Sequence, residues 1–136
     1  MKVTTVDLQV HGDERGSLVA LEDQKNIPFA IRRVYYLFAT KPGVRRGMHA
    51  HRNLQQLVVA VRGSCHFLLD DGKERIKLLL DDPEKGLLVD SMVWREMYDF
   101  STDCVLMVLA SAHYDANDYI RDYDQFRREI DAEANR

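Results

Sequence analysis

The sequence predicts an all-β domain, a sandwich or small barrel, with one short helix near its C-terminal end. Short runs of Val, Ile, Leu, Tyr and Phe recur at spacings of about ten residues, which is typical of sandwiches and barrels. Turn-forming residues separate these runs. From Asp115 onward the pattern changes, and apolar residues fall at helical spacing among charged ones.

Six segments have the β-branched and aromatic composition of strands. They are residues 31–38, 57–61, 64–70, 75–80, 87–93 and 104–110. The sequence Asp70-Asp71-Gly72 predicts a hairpin between the third and fourth segments, because Asp-Gly tolerates the positive φ angles of tight turns.

The tail predicts a helix that packs on the barrel. Its apolar stripe is typical of a core or interface surface rather than of a ligand site. The stripe consists of Tyr119, Ile120, Tyr123, Phe126 and Ile130.

Length and composition indicate one folded domain over residues 1–136. The chain is 46% hydrophobic and 30% charged, with no linker, repeat or low-complexity tract. A formal net charge of −3 disfavours a nucleic-acid partner. We find neither a signal peptide nor an apolar run of the roughly 18 residues that a membrane span needs, and we expect a cytoplasmic protein. Cys65 and Cys104 lie in apolar segments without a CxxC pattern, which predicts reduced core thiols.

Two of the five histidines, His49 and His51, stand two residues apart. In a strand this spacing puts both imidazoles on one face. The surrounding pattern is Gly43, five residues, His49, one residue, His51, four residues, Gln56, six residues, Gly63. It matches the first cupin motif except that Gln56 replaces a glutamate.

The second cupin motif is missing its key residues, because Met92, Trp94 and Met97 stand where proline, glycine and histidine are expected. Two of the usual four metal ligands are therefore replaced by groups that bind divalent metals poorly. We predict no metal and no other cofactor. The histidines are then free to act as acid and base, a role that suits their ordinary pKa of about 6.5.

Several arginines interrupt apolar segments, and a guanidinium fork is well matched to a diphosphate. We expect Arg33, Arg46 and Arg95 to line the pocket, whereas Arg32 and Arg45 are expected on the surface. Tyr35 shares a strand face with Arg33, either as a pocket residue or as a buried structural tyrosine.

The sequence resembles the dTDP-4-oxo-6-deoxyglucose 3,4-ketoisomerases, or WxcM-like sugar cupins, over nearly its whole length. The matching stretches are residues 15–22, 27–29, 33–36, 46–47, 49–51, 70–72, 96–97, 99–101, 108–111, 114–115 and 118–121, together with Trp94. The resemblance implies a cupin jelly roll and a thymidine-diphosphate 4-keto-6-deoxyhexose substrate, on the way to amino sugars of surface polysaccharide. It also implies a homodimer with exchanged N-terminal strands, for which residues 3–10 are a β-prone candidate.

Isomerisation from the 4-keto to the 3-keto sugar passes through an enediol, which two adjacent imidazoles can serve. We favour His51 as the C3 base and His49 as its partner, although spacing does not separate them. The substrate-binding residues expected from the pattern and the resemblance are Arg15, Arg33, Tyr35, Arg46, Gln56, Trp94, Arg95 and Arg121.

One departure concerns the residue after Trp94, which is histidine in some relatives and Arg95 here. A group beside C4 can set the product configuration, so Arg95 and Arg15 leave that configuration open. Two other functions are compatible with the sequence: a metal-free 3,5-epimerase of nucleotide sugars, and a cupin that binds sugar nucleotides without turnover.

Overall fold

Twelve strands, one 3₁₀ turn and one α-helix make up the computed structural model, which describes residues 1–136. The strands are β1 (Thr4–Asp7), β2 (Val10–Asp13), β3 (Gly16–Val19), β4 (Arg33–Leu37), β5 (Arg46–His51), β6 (Gln56–Arg62), β7 (Cys65–Asp70), β8 (Arg75–Leu80), β9 (Lys85–Val89), β10 (Trp94–Tyr98), β11 (Val105–Ala110) and β12 (Tyr119–Ile120). The 3₁₀ turn covers Ala116–Asp118, and helix α1 covers Tyr123–Ala134.

Ten strands form two antiparallel five-stranded sheets, with the orders β1-β9-β6-β11-β4 and β12-β5-β10-β7-β8. Their facing sides enclose the main apolar core, which includes Val58, Phe67, Leu106 and Val108. β7 and β8 form the predicted hairpin, and Gly72 in its turn has a φ of +91°. The predicted all-β jelly-roll fold with a C-terminal helix is confirmed.

Two predicted boundaries are wrong. The segment 87–93 is not one strand, because β9 ends at Val89 and Met92, with a φ of +59°, turns the chain into β10. Tyr119 is not helical either: it begins the short strand β12, which pairs with β5. The helix begins only at Tyr123, where the Asp122 carboxylate accepts a hydrogen bond from the backbone N–H of Asp124.

Helix α1 covers the outer face of the second sheet. Phe126 is fully buried there against Ala50, Trp94 and Ile120. No helix of the protein has both the length and the apolar character needed to cross a bilayer.

The N-terminal strands differ in how they pair. β1 pairs with β9 of its own chain, so the residues predicted to be exchanged already have a partner strand. β2 and β3 form a separate two-stranded hairpin that pairs with neither large sheet. This hairpin, rather than β1, is the N-terminal element that pairs with no strand outside itself.

Gly63, between β6 and β7, is expected to be the most sensitive of the turn glycines. Its φ is +69°, and a Cβ there would meet the Ser101 hydroxyl and lie 2.8 Å from Cα of Cys104. Gly43 is a matched control, because its φ is +82° but a Cβ would have open space. We expect Gly43→Ala to lower the free energy of unfolding by about 1–2 kcal/mol through backbone strain alone. Gly63→Ala should cost about 1–3 kcal/mol more from overpacking, as measured by urea denaturation. Equal costs would show that the steric overlap relaxes freely.

Candidate active site

β5 places His49 and His51 side by side on the inner face of the second sheet, while Ala50 between them packs outward under α1. The alternation of side chains along the strand produces this split. The two imidazole rings lie 4.9 Å apart between centroids and nearly perpendicular, at 89°. His51 is 1% exposed, whereas His49 is only partly buried and lines an open cleft.

A carboxylate holds the ring of His51. Nδ1 of His51 lies 3.0 Å from Oδ2 of Asp118, and Nε2 has no hydrogen-bond partner. In the neutral ring, an Nδ1–H that donates to Asp118 leaves the Nε2 lone pair free. This arrangement of a base oriented by a third group is typical of sites that move protons.

Tyr119 completes the aromatic cluster around the histidines. Its ring centroid lies 4.3 Å from that of His51 and 4.9 Å from that of His49. The guanidinium of Arg121 lies over the Tyr119 ring, 4.3 Å from its centroid. β12 supplies Tyr119 and the residue before it supplies the carboxylate, so one short segment furnishes both groups.

A second chain of hydrogen bonds crosses between the sheets. Arg95 is 4% exposed; its Nη1 donates to Oε1 of Gln56 over 2.5 Å, and its Nη2 donates to the Val93 carbonyl over 3.1 Å. Nε2 of Gln56 in turn donates to the Tyr35 hydroxyl over 2.9 Å. Because Tyr35 accepts this bond, its own O–H proton is free to donate to a ligand. The charge of Arg95 polarises the chain and favours that donation.

The cleft beside these groups has a volume of about 400 Å³ and a cationic rim. Its charged and polar lining residues are Arg33, Tyr35, Tyr36, Arg46, His49, Tyr119 and Arg121. Arg33 lies 5.3 Å from the Tyr35 ring centroid, and its Nε is buried without a partner. Cationic forks around an open cleft suit a phosphorylated ligand.

The surroundings keep both histidines neutral at physiological pH. Burial, and next the Arg95 guanidinium, lowers the pKa of His49 to about 4, although the Gly47 carbonyl opposes this shift. Burial, Arg95 and the neighbouring His49 lower the pKa of His51 to about 2. Burial raises the pKa of Tyr35, so its hydroxyl stays protonated. At neutral pH the site therefore holds two unprotonated imidazoles and one protonated phenol.

The residues present do not fit the metal ion that the cupin fold suggests. Gln56 gives its amide oxygen to Arg95, so the position of the usual glutamate ligand is occupied by a hydrogen bond to a buried cation. Met97 stands in the cleft at the position of the fourth ligand. No group of three or more His, Cys, Asp or Glu side chains is placed to hold a metal.

The structure brings together most of the site residues predicted from the sequence. Those that line the cleft or lie directly beneath it are His49, His51, Arg33, Tyr35, Arg46, Gln56, Arg95 and Arg121. Within the chain, this placement agrees with the expectation; what each residue does in catalysis and binding stays a prediction.

Two predicted site residues lie elsewhere. The prediction that Trp94 binds substrate does not fit its position. Trp94 lies on the strand face opposite Arg95, buried against Phe126 of α1, and its indole N–H donates to Glu96 over 2.9 Å. Arg15 lies on the β2–β3 hairpin, its side chain 85% exposed and paired with Asp13. Within one chain it does not line the histidine cleft.

Sequence reasoning missed Asp118, and it treated Tyr119 as a packing residue. The helical spacing of the tail obscured both, because that periodicity assigned the segment to a helix stripe. The signal that points to them is the matching stretch 118–121, which lies outside the cupin motifs.

The fold and the site define a cupin-like enzyme. The family model described as "FdtA: WxcM-like, C-terminal" matches residues 1–131. The chain belongs to this family of sugar 3,4-ketoisomerases.

Relatives of known activity are similar to this chain over most of its length. The TDP-4-oxo-6-deoxy-alpha-D-glucose-3,4-oxoisomerase of Aneurinibacillus thermoaerophilus is 57% identical over 118 residues, which cover 87% of this chain and 85% of the relative. The crystal structure of a 3,4-ketoisomerase from Helicobacter canadensis is 44% identical, with a TM-score of 0.93 over 96% of this chain and 98% of that one.

A third relative, the 3,4-ketoisomerase QdtA of Thermoanaerobacterium thermosaccharolyticum, is solved with ligands. A histidine-to-asparagine mutant in complex with TDP-4-keto-6-deoxyglucose is 38% identical, with a TM-score of 0.93 over 96% of this chain and 94% of that one. Another structure of QdtA carries a tyrosine-to-arginine and an arginine-to-histidine substitution and is in complex with TDP.

The lowered pKa of His49 predicts the pH dependence of activity. Because His49 is neutral above a pKa of about 4, kcat should be constant around neutrality and fall only as the pH approaches that value. Arg95→Gln removes a cation that disfavours the imidazolium, so the acid limb should move to higher pH. Arg75→Gln, on the distant β8, should leave the limb in place.

The comparison requires folded protein at each pH. A group whose folded pKa is lowered binds fewer protons than in the unfolded chain, so stability is lost as the pH falls below about 6.5. Circular dichroism at each pH therefore accompanies the rates. A wild-type acid limb near pH 6.5 in folded protein would contradict the lowered pKa of His49.

Proposed function

We propose that this enzyme isomerises TDP-4-keto-6-deoxyglucose to the 3-keto sugar by histidine acid–base chemistry, without a metal or other cofactor. The observation that carries the proposal is that a neutral imidazole and a phenol with a free proton line the same cleft as three arginines. The ligands in the QdtA structures, TDP and TDP-4-keto-6-deoxyglucose, support this class of substrate.

The cleft arginines suit the diphosphate. Arg33, Arg46 and Arg121 surround the opening, and Arg33 and Arg121 each lie over a tyrosine ring. Forked guanidinium groups bind phosphate oxygens in pairs, and the aromatic rings limit the arginine rotamers. A diphosphate held at the rim leaves the sugar to reach toward His49.

In the proposed reaction, His49 removes the C3 proton. The electrons of the C3–H bond form the C3–C4 double bond, and the C4 oxygen takes the Tyr35 proton to give an enediol. The Tyr35 phenolate then takes the proton of the C3 oxygen as the C3 carbonyl forms, and the electrons of the double bond take the proton of the His49 imidazolium at C4, which yields the 3-keto sugar. His51, held by Asp118, stands beside His49 as its proton partner. Each proton transfer contributes about 10²- to 10⁴-fold.

This order reverses the preference drawn from the sequence, which favoured His51 as the base. Of the two histidines, His49 lines the cleft of about 400 Å³, whereas His51 is 1% exposed. The spacing of substitutions in QdtA supports the reversal. Its mutated arginine follows its mutated histidine by the same number of residues as Arg95 follows His49.

A second spacing in QdtA supports a role for Arg15 in the active site. The tyrosine and arginine substituted together in QdtA are as far apart in sequence as Arg15 and Arg95. Since Arg15 does not reach the cleft of its own chain, we propose that the β2–β3 hairpin extends to a second subunit and brings Arg15 to that subunit's cleft. Arg15 would then lie beside the sugar and, together with the buried Arg95 beneath the cleft, select the C4 configuration of the product.

The alternative function is epimerisation, because some nucleotide-sugar epimerases have a similar fold. A dTDP-4-dehydrorhamnose 3,5-epimerase from Bacillus anthracis has a TM-score of 0.74 at 16% identity, over 86% of this chain and 76% of that one. A likeness at this identity concerns the fold alone. An epimerase product keeps its ketone at C4, which makes the two reactions distinguishable.

The assay is to incubate the enzyme with TDP-4-keto-6-deoxyglucose and follow the sugar carbons by NMR. We expect the ketone carbon to move from C4 to C3, and the C4 proton coupling to report the configuration. His49→Asn should lower kcat by about 10²- to 10⁴-fold with substrate still bound, because an amide cannot cycle a proton near pH 7. His51→Asn should have a smaller effect. A larger loss of kcat in His51→Asn than in His49→Asn would make His51 the base. A ketone that stays at C4 would refute the isomerase proposal.

We also propose a homodimer formed through the outer face of the first sheet. β4 is an edge strand of that sheet, and its outward residues Val34 and Tyr36, with Phe38 directly after its end, are 54%, 64% and 66% exposed. An exposed apolar edge of this kind is an association surface.

Light scattering should give twice the chain mass of 15.8 kDa. Phe38→Glu should produce monomers by placing a charge in the interface. Leu79→Glu on β8, at a site 50% exposed, is the matched control and should remain dimeric. A wild-type monomer, or a dimer indifferent to Phe38→Glu, would refute this surface.

A further inference from the structure

We propose that Arg52 is a positioning residue for catalysis, which fixes the segment 117–119 so that Asp118 meets His51 and Tyr119 covers both histidines. Arg52 directly follows the His-x-His pair but does not line the cleft. The inference deepens the proposed function and rests on it.

Arg52 binds three consecutive carbonyls of that segment. Its Nη1 donates to the Asn117 carbonyl over 2.8 Å and to the Tyr119 carbonyl over 3.4 Å. Its backbone N–H donates to the Asp118 carbonyl over 3.1 Å. A single residue thus holds the backbone on both sides of the catalytic carboxylate and at the carboxylate's own residue.

The Asp118 side chain is held by the same stretch of chain. Oδ1 accepts from the backbone N–H of Asn53 over 2.8 Å, and Oδ2 lies 3.0 Å from Nδ1 of His51. Residues 51–53 therefore bind both carboxylate oxygens and the surrounding carbonyls. The pairing of Tyr119 with His51 also holds the end of the segment to β5, and a shift of residues 117–118 would break the contact between the carboxylate and His51.

Glu129 of α1 aims the guanidinium. Nε and Nη2 of Arg52 donate to its two carboxylate oxygens, each over 2.9 Å, and Gln125 donates to the same carboxylate over 3.1 Å. An ion pair this exposed adds little stability by itself. Its consequence is geometric: two prongs occupied by Glu129 leave Nη1 directed at the carbonyls. Lysine, a point charge on a flexible stem, cannot reproduce this fork.

The test compares Arg52→Lys with Arg75→Lys. Arg75 also anchors α1, because it and the Tyr123 hydroxyl both donate to Asp70, over 2.8 and 2.7 Å, but it does not touch the segment 117–119. We expect Arg52→Lys to lower kcat at least tenfold with KM for TDP-4-keto-6-deoxyglucose within twofold, since small misplacements of catalytic groups are costly. Arg75→Lys should leave both constants unchanged. Glu129→Gln should fall between Arg52→Lys and the wild type.

A second readout does not depend on turnover. ¹⁵N NMR of the His51 ring in folded protein should report the Nδ1–H tautomer in the wild type and in Arg75→Lys, and a mixture of tautomers in Arg52→Lys. Unchanged kcat and tautomer in Arg52→Lys would overturn the proposal. So would a loss of kcat that merely follows the folded fraction measured by thermal unfolding. An inactive wild type whose tautomer still responds to Arg52→Lys would instead refute the proposed function and leave the positioning role supported.

Discussion

The buried guanidinium of Arg95 is the interaction on which the site depends. Burying a cation is costly unless it is hydrogen-bonded, and here each of the three guanidinium nitrogens donates to Gln56 or to the Val93 carbonyl. Desolvation lowers the pKa of Arg95 only to about 10, so it remains charged at neutral pH. A permanent positive charge therefore lies beneath the histidines, inside the sandwich.

That one charge has three consequences. After burial, which is the larger cause, it lowers the pKa of His49 and so helps to keep this base unprotonated. Through Gln56 it polarises the Tyr35 hydroxyl toward donation. It also opposes a divalent cation at the place where related cupins hold one. The replacement of the motif glutamate by Gln56 follows the same logic, because a neutral amide can accept from Arg95 and donate to Tyr35 at once.

The second sheet has the candidate site on its inner face and helix α1 on its outer face. Along β5 and β10, inward side chains form the site, while Ala50 and Trp94 point outward to pack against Phe126. The helix therefore stabilises the strands from behind and supplies Glu129, which binds Arg52 beside the segment that carries Asp118. The terminal helix, which contributes no residue to the cleft, still contributes to the arrangement of the histidines.

The sequence by itself determined what depends on neighbours along the chain. Alternation identified most strands, and the i, i+2 spacing put His49 and His51 on one face of a strand. The tertiary structure decided what depends on pairing between distant segments. It placed Asp118 against His51 across 67 positions of sequence, turned Trp94 away from the cleft, and left Arg15 on a separate hairpin. The reason is that side-chain periodicity is a local property of the backbone, whereas the partner a side chain meets is set by strand register and by which face of a sheet another element covers.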